Sequence, residues 1–425
     1  MKILEEIDEV VDRLRDDAQR VSEDVFDVVT RYVDRHSAAA FAHLRKHRPI
    51  VSTHAFALVT LADDVREVLG DHTSFTVALY LPKMEAITGP FILGLDDTPL
   101  YRHDHGALRA AIRADDLPRI DALVTASARE RVAAAQEGRI DVVSGLVDPV
   151  VDHAIDDYFG TPGPNTATQL RWARSLFEEI FINGSNLAAI HDRAMADAAE
   201  MRPYLDGLIA ARRVAIESGS DVPDDVLTRL LRGAGGDDRL DDLAIRHNFI
   251  GLIAGWIPTV SKAFALAIEE LLSRPSELAA AQAAAREGDR DLVAAYVFEA
   301  MRFRPQNWGL LRKCAADRTI ASGTEREATI RAGATVVTAT ESAMHDETSV
   351  AAPEEFRVDR PWSDYMHFGH GLHTCFGEAI NRVQLPALAA ALLEGPALGR
   401  APGPEGELRW DGVYPSGLTV TLGAA

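Results

Sequence analysis

The chain has 425 residues, with 44 basic and 65 acidic side chains, a formal net charge of −21, and 47% hydrophobic against 26% charged residues. The acid surplus argues against a nucleic-acid or anionic-membrane ligand, because neutralising phosphate takes Lys and Arg, and so apolar a composition excludes disorder as a description of the whole. Two cysteines, Cys314 and Cys375, exclude a disulfide-stapled secreted scaffold.

In chain order, the N-terminal MKILEEIDEVVDRLRDD is charged throughout and has no apolar signal-peptide core, so the protein is expected in the cytoplasm. Leu4, Ile7, Val10, Val11, Leu14, Ala18 and Val21 recur at helical spacing. The same period predicts helices over 121–135, 166–182, 193–217, 240–273, 276–285, 291–303 and 378–393. Strand-like alternation is confined to Ile50–Ser52, Ala57–Thr60, Arg318–Ile320 and Thr335–Thr340. Gly160–Asn165, Ser218–Pro223 and Gly233–Asp238 read as surface loops. Phe249–Val260, the most apolar stretch near mid-chain, is too short to span a bilayer and contains Pro258. Length alone suggests roughly three domains, yet none of these loops has the character of an interdomain linker.

The segment carrying most chemistry is HFGHGLHTCFGEAINRVQLPALAAALL, residues 367–393. A glycine-rich loop holds Cys375, and a helix is predicted immediately after it. Gly369, Gly371 and Gly377 permit turns that Cβ-bearing residues resist. Backbone amides and the helix N-terminus are expected to favour a thiolate, the metal-binding form of cysteine. From the residues alone three readings stand open. Cys375 is a buried core thiol, or it binds zinc with His367, His370 and His373, or it is the axial ligand of a heme iron.

Phe368-Gly369-x-Gly371-x-His373-x-Cys375-x-Gly377 resembles the heme-binding signature of the cytochrome P450 superfamily. Glu299-Ala-Met-Arg302 resembles its ExxR pair, and PEEFRVDRPW, residues 353–362, resembles the segment between, with Arg360 at its arginine. With the segment around His105, the likeness runs over most of the chain. It implies one mainly α domain over 1–425 with a small β portion, enclosing heme b on the Cys375 thiolate. Phe368 would shield the sulfur. Glu299, Arg302 and Arg360 would form a buried structural network. The heme carboxylates would meet Arg312, His373, His105 and Arg109, with His103 and Tyr101 as alternatives in the same stretch. The resemblance further implies an oxidoreductase, foremost a monooxygenase acting on a lipophilic biosynthetic intermediate. Electrons would come from a separate soluble ferredoxin or flavodoxin, docking on a basic patch with Arg102, Arg113 and Lys313. A monomer is expected.

The predicted helix 244–273 departs from the family pattern on the dioxygen side. Ala254-Gly255 matches the point where that helix crosses the iron, and an acid and a threonine normally follow after one more residue. Here Trp256 is followed by Ile257 and Pro258, with Thr259 one position late. Ile257 cannot relay a proton, and Pro258 deprives the Ala254 carbonyl of its helical partner, so a kink is expected. Three mechanisms stay open: a monooxygenase using Thr259, water or a substrate group for proton delivery, a peroxide-driven enzyme, or one that rearranges a hydroperoxide. A non-catalytic heme or zinc protein is the alternative of another class. Family position proposes Ile87, Phe91, Phe181, Asn183, Trp256, Gln306 and Asn307 as pocket residues.

Overall fold

The computed structural model describes residues 38–135, 137–233, 239–395 and 397–423. The amphipathic pattern at 4–21 lies outside them. The predicted helices appear as Leu117–Ala133, Thr166–Phe177, Ala188–Glu217, Asp242–Leu272, Pro275–Glu287, Arg290–Phe303 and Glu378–Leu393. A π-helical turn, Glu178–Ile182, continues the second of these to the expected end.

Capping chemistry sets several starts. Asp241 accepts from the Ala244 N–H at the head of Asp242–Leu272, and Asp289 does the same for Leu292 at the head of Arg290–Phe303. Thr98 caps Pro99–Ala111, with proline in the first turn where its missing N–H costs nothing.

Asp242–Leu272 is the central helix. Phe249, Ile250, Ile253, Ala254, Ile257, Phe264 and Ile268 are all buried along it. By length and hydropathy it could cross a membrane, but 78% of that apolar window is buried inside the protein. It continues through Pro258 as one 31-residue element, so the expected kink does not interrupt it.

A five-stranded sheet stands beside the helices, in the order Ile50–Ser52, Phe56–Val59, Thr335–Thr338, Leu310–Cys314, Phe75–Thr76. The pair Phe56–Val59 and Thr335–Thr338 is parallel; the others are antiparallel. A second sheet joins Arg139–Asp141, Thr419–Leu422 and Leu398–Arg400. Both sheets unite segments hundreds of residues apart, the contrary of what a cut into successive domains would produce.

Candidate functional site

The cysteine loop is built by its glycines. Gly369 and Gly371 stand at φ of +75° and +76°, where a side chain is strained. A Cβ on Gly371 would also collide with the Leu69 carbonyl, so this turn seats directly on the helix Ala62–Gly70. Gly377 is different: its φ is −89°, so its conformation does not require glycine. Its amide donates to Cys375 and lowers the thiol pKa, but burial dominates and pushes that pKa up to about 11. The amide thus acts in the expected direction, towards the thiolate, and burial acts against it.

Two charged clusters flank this loop. In the first, Arg302 donates to both oxygens of Glu299 at 2.9 and 2.8 Å. Glu299 further accepts from Arg360 Nε at 3.0 Å, the Arg357 backbone N–H at 2.9 Å and the Tyr365 hydroxyl at 3.2 Å. Arg302 also reaches the carbonyls of Met344 and Glu355 at 3.2 and 3.1 Å, and Arg360 those of Ala351, Ala352 and Glu355 at 2.7 to 2.8 Å. Glu299 and Arg302 are both 0% exposed. The guanidinium groups hold the Glu299 carboxyl below its ordinary pKa against the pull of burial.

The second cluster is left open. Arg312, on the strand Leu310–Cys314, is 4% exposed; its bond at 2.8 Å goes to the neighbouring Leu311 carbonyl. Among the described residues no carboxylate pairs with it. Burial opposes its charge, with Tyr80 and Asp96 acting only at longer range. Both ring nitrogens of His373 are buried without a hydrogen-bond partner, and burial together with Arg312, His72 and His105 pushes its pKa down to about 4.

The helix Pro99–Ala111 completes this side. Tyr101 donates to the Leu372 carbonyl at 3.2 Å, and its ring stacks on His105 at 5.2 Å. His105 meets Phe376 edge-on at 5.3 Å, and Arg109 lies 4.1 Å over the same ring. Tyr101, His105 and Arg109 thus share the face turned to the cysteine loop. His103 points elsewhere, bonding Asp104 at 2.9 Å, and Asp104 in turn accepts from Asn248 of the central helix at 2.8 Å. That settles which histidine of the segment meets the loop.

Residues 176–395 match the family model described as Cytochrome P450, over half of the chain. The chain belongs to the cytochrome P450 family. It is 26% identical over 362 residues to cyclomarin C epoxidase CymV of Salinispora arenicola, covering 83% of this chain and 86% of that protein. It is 30% identical over 310 residues to the monooxygenase PikC of Streptomyces venezuelae, covering 72% and 66% respectively. The crystal structure of CalO2 superposes with a TM-score of 0.79 at 24% identity, covering 92% of this chain and 96% of that one; at that identity it supports the fold alone.

The protein is thus a cytochrome P450 oxidoreductase whose cofactor is heme b on a cysteine thiolate. The residues present fit it. Heme carries two carboxylates, and the open cluster offers a buried arginine and an orphaned histidine without counter-charge. Zinc finds no cage: among the described residues no group of three or more His, Cys, Asp or Glu side chains gathers. His367 bonds the Phe298 carbonyl at 2.9 Å, and His370 is exposed.

On the central helix, Ala254, Ile257 and Pro258 of the cytochrome are buried. The Thr259 hydroxyl turns back into its own helix, 2.6 Å from the Gly255 carbonyl and 3.2 Å from that of Trp256. Trp256 faces away, packing edge-on against Phe159 at 5.0 Å and donating to Gln384 at 3.1 Å. It is therefore engaged elsewhere than a substrate pocket.

The other proposed pocket residues separate. Ile87 and Phe91 are fully buried, and Phe91 fills the space that a side chain on Gly251 would need. Phe181 is half-buried between Tyr80 and Phe177, and Phe368 between Phe298 and Trp362. Asn183 has no polar atom to spare: its amide serves Glu179 and the Leu187 carbonyl, and its oxygen accepts from the Leu187 N–H. Gln306 is half-buried, whereas Asn307 is exposed and accepts from the Gly309 N–H at 3.4 Å.

The expected basic patch is weaker than the sequence suggested. Arg102 is held by Asp97 at 2.7 and 2.9 Å, and Arg113 lies 3.7 Å from Asp224. Lys313 is half-buried opposite Thr76. Tyr365 in the Glu299 network was not anticipated, and nothing local in the sequence marks it.

Proposed function

We propose that this cytochrome is a single-domain monooxygenase that oxidises a lipophilic intermediate of natural-product biosynthesis, with Cys375 as its iron ligand. The observation that carries this reading is that the Cys375 loop adjoins a buried arginine, Arg312, with no carboxylate partner among the described residues, and a buried histidine, His373, with no hydrogen-bond partner. When bound, the heme supplies the activation of oxygen. Cys375 holds the cofactor, and the Gly377 amide bonds its sulfur. Arg312, His373, His105 and Arg109 hold the two carboxylates. Glu299, Arg302 and Arg360 fix the loop's surroundings.

On the dioxygen side, Ala254 leaves room, and Ile257 and Pro258 exclude water. Thr259 spends its proton on the helix, so the proton for the reaction arrives on ordered water or on a polar group of the substrate. Phe181 and Gln306 line the substrate side. Similarity to a cyclomarin C epoxidase and a mycinamicin IV hydroxylase/epoxidase supports oxidation of a biosynthetic small molecule. Electrons come from a separate ferredoxin or flavodoxin, and the protein acts as a cytoplasmic monomer. A peroxide-driven reaction is the second reading, favoured by Ile257-Pro258 where an acid and an alcohol stand in the family.

The test is a two-armed turnover assay of the holoprotein on a panel of terpenoids, polyketides, small peptides and lipophilic acids. One arm supplies surrogate ferredoxin, reductase, NADPH and heavy-isotope dioxygen; the other supplies hydrogen peroxide alone. Label in products of the electron-driven arm is expected. Product in the peroxide arm only would overturn the monooxygenase reading. In parallel, Cys375→Ser is expected to abolish the thiolate absorbance of the reduced carbon monoxide complex.

A further inference from the structure

Trp256 and Gln384 lie 128 positions apart, one on the central helix and the other on the helix that follows Cys375. Gln384 is 1% exposed, so each of its polar atoms needs a partner. Its Oε1 accepts from the Trp256 indole N–H at 3.1 Å, and its Nε2 donates to Asn381 Oδ1 at 2.7 Å.

The direction of this chain is chemically determined. An indole N–H donates and cannot accept. It must therefore meet the oxygen of Gln384, which leaves the Gln384 nitrogen for Asn381. Asn381 then presents its oxygen to Gln384 and keeps its own N–H groups for the other side. On that side lies Gly377. A Cβ on Gly377 would sit 3.4 Å from Asn381 Nδ2 and 3.9 Å from Cys375 Sγ. The glycine, whose backbone does not demand one, thus keeps the space between an amide donor and the sulfur free of a side chain.

We infer that Trp256, Gln384 and Asn381 form a directed amide relay that turns the positive end of the Asn381 dipole toward the Cys375 sulfur and sets the reduction potential of the iron. Asn381, Gln384 and Trp256 are positioning residues, acting on the ligand and not on substrate. The inference rests on Cys375 as the iron ligand. A positive dipole end beside the sulfur stabilises the more negative, reduced state, as donors around a metal ligand do. Trp256 is the distant end of the relay. It adjoins Ala254-Gly255, so a change in the central helix there is felt at the Cys375 sulfur.

The experiment is spectroelectrochemical titration of the ferric/ferrous couple in the holoprotein and in Asn381→Leu, Trp256→Phe and the double variant. The reduced carbon monoxide spectrum is recorded for each. Asn381→Leu is expected to lower the potential, so that the ferrous-to-ferric ratio at the wild-type midpoint falls about threefold or more. Trp256→Phe frees Gln384 to turn over and is expected to shift the ratio the same way by a smaller factor. The double variant should match Asn381→Leu alone, because a relay cut at its end gains nothing from a second cut. Asn381→Asp, which accepts from Gln384 but presents negative charge to the sulfur, should lower the ratio further than leucine.

Unchanged midpoints in a protein that keeps its thiolate spectrum would overturn the relay. So would fully additive shifts in the double variant. A wild-type spectrum without the thiolate band would instead overturn Cys375 as the ligand, so the two failures are distinguishable.

Discussion

Two buried polar clusters adjoin the cysteine loop, one through Tyr365 and one through His373, and they are built on opposite rules. Around Glu299, one carboxylate meets two guanidinium groups, a tyrosine hydroxyl and a backbone amide, and the arginines fill their remaining valences with carbonyls. Around Arg312, a buried guanidinium bonds the Leu311 carbonyl and no carboxylate among the described residues, and its charge acts on His373, whose ring nitrogens have no partner. A buried charge is tolerated only when paired and hydrogen-bonded. The closed cluster meets that condition within the chain and is scaffold. The open cluster fails it within the chain, which is what supports our proposal that it holds the heme carboxylates.

The largest effect is expected from breaking the closed cluster. Glu299→Gln strands Arg302 and Arg360 without their counter-charge, and removing one partner of a buried pair costs about 3–5 kcal/mol. Denaturant titration of the purified variant, with heme content alongside, checks this; a loss below 1 kcal/mol would mean that the network is replaceable. Arg360→Leu is expected to cost less, about 2 kcal/mol, because Arg302 still neutralises Glu299 while three carbonyls lose a charged donor. The same titration reads it.

A third cluster sharpens the comparison. Asp148, Asp152 and Asp156 line one face of consecutive helical turns, and Asp152 Oδ1 is buried without a partner. Unlike an arginine, a carboxyl can discharge itself by taking a proton. Burial and the neighbouring Asp152 raise Asp156 to about 6. The folded state therefore binds more protons than the unfolded chain between about pH 4 and 6. Stability from this group is present below pH 4 and is lost as pH rises toward 6. Asp156→Asn should flatten that slope and gain about 1 kcal/mol at pH 7, a figure reduced for the solvent that reaches this half-exposed group. Melting temperatures at pH 4.5 and 7 check the sign; equal gains at both would refute it.

How legible these clusters were differs for physical reasons. Long amphipathic helices declare themselves by period, and Thr166–Phe177, Asp242–Leu272 and Glu378–Leu393 fall where their spacing puts them. Short strands declare themselves unevenly: Ile50–Ser52 and Arg318–Ile320 fall where they were expected, whereas Leu310–Cys314 and the C-terminal strands, with few alternations each, were not read. The cysteine loop and Glu299-x-x-Arg302 are local strings and were readable as a resemblance. The openness of the Arg312 cluster is a fact about missing partners from every neighbouring element, and no string records that. Likewise, spacing could place Thr259 one residue late but could not show its hydroxyl turned back on Gly255, nor join Trp256 to Gln384.

The central claim is that the open cluster awaits the heme carboxylates, and Arg312→Leu tests it most directly. Thermal unfolding of the variant would be followed with and without heme, against wild type. Removing an unpaired buried cation should raise the melting temperature of the heme-free protein and lower that of the heme-loaded protein, with faster loss of heme to a scavenging apoprotein. A variant that melts lower in both states and retains heme as wild type does would contradict the account, since Arg312 would then be scaffold like Glu299.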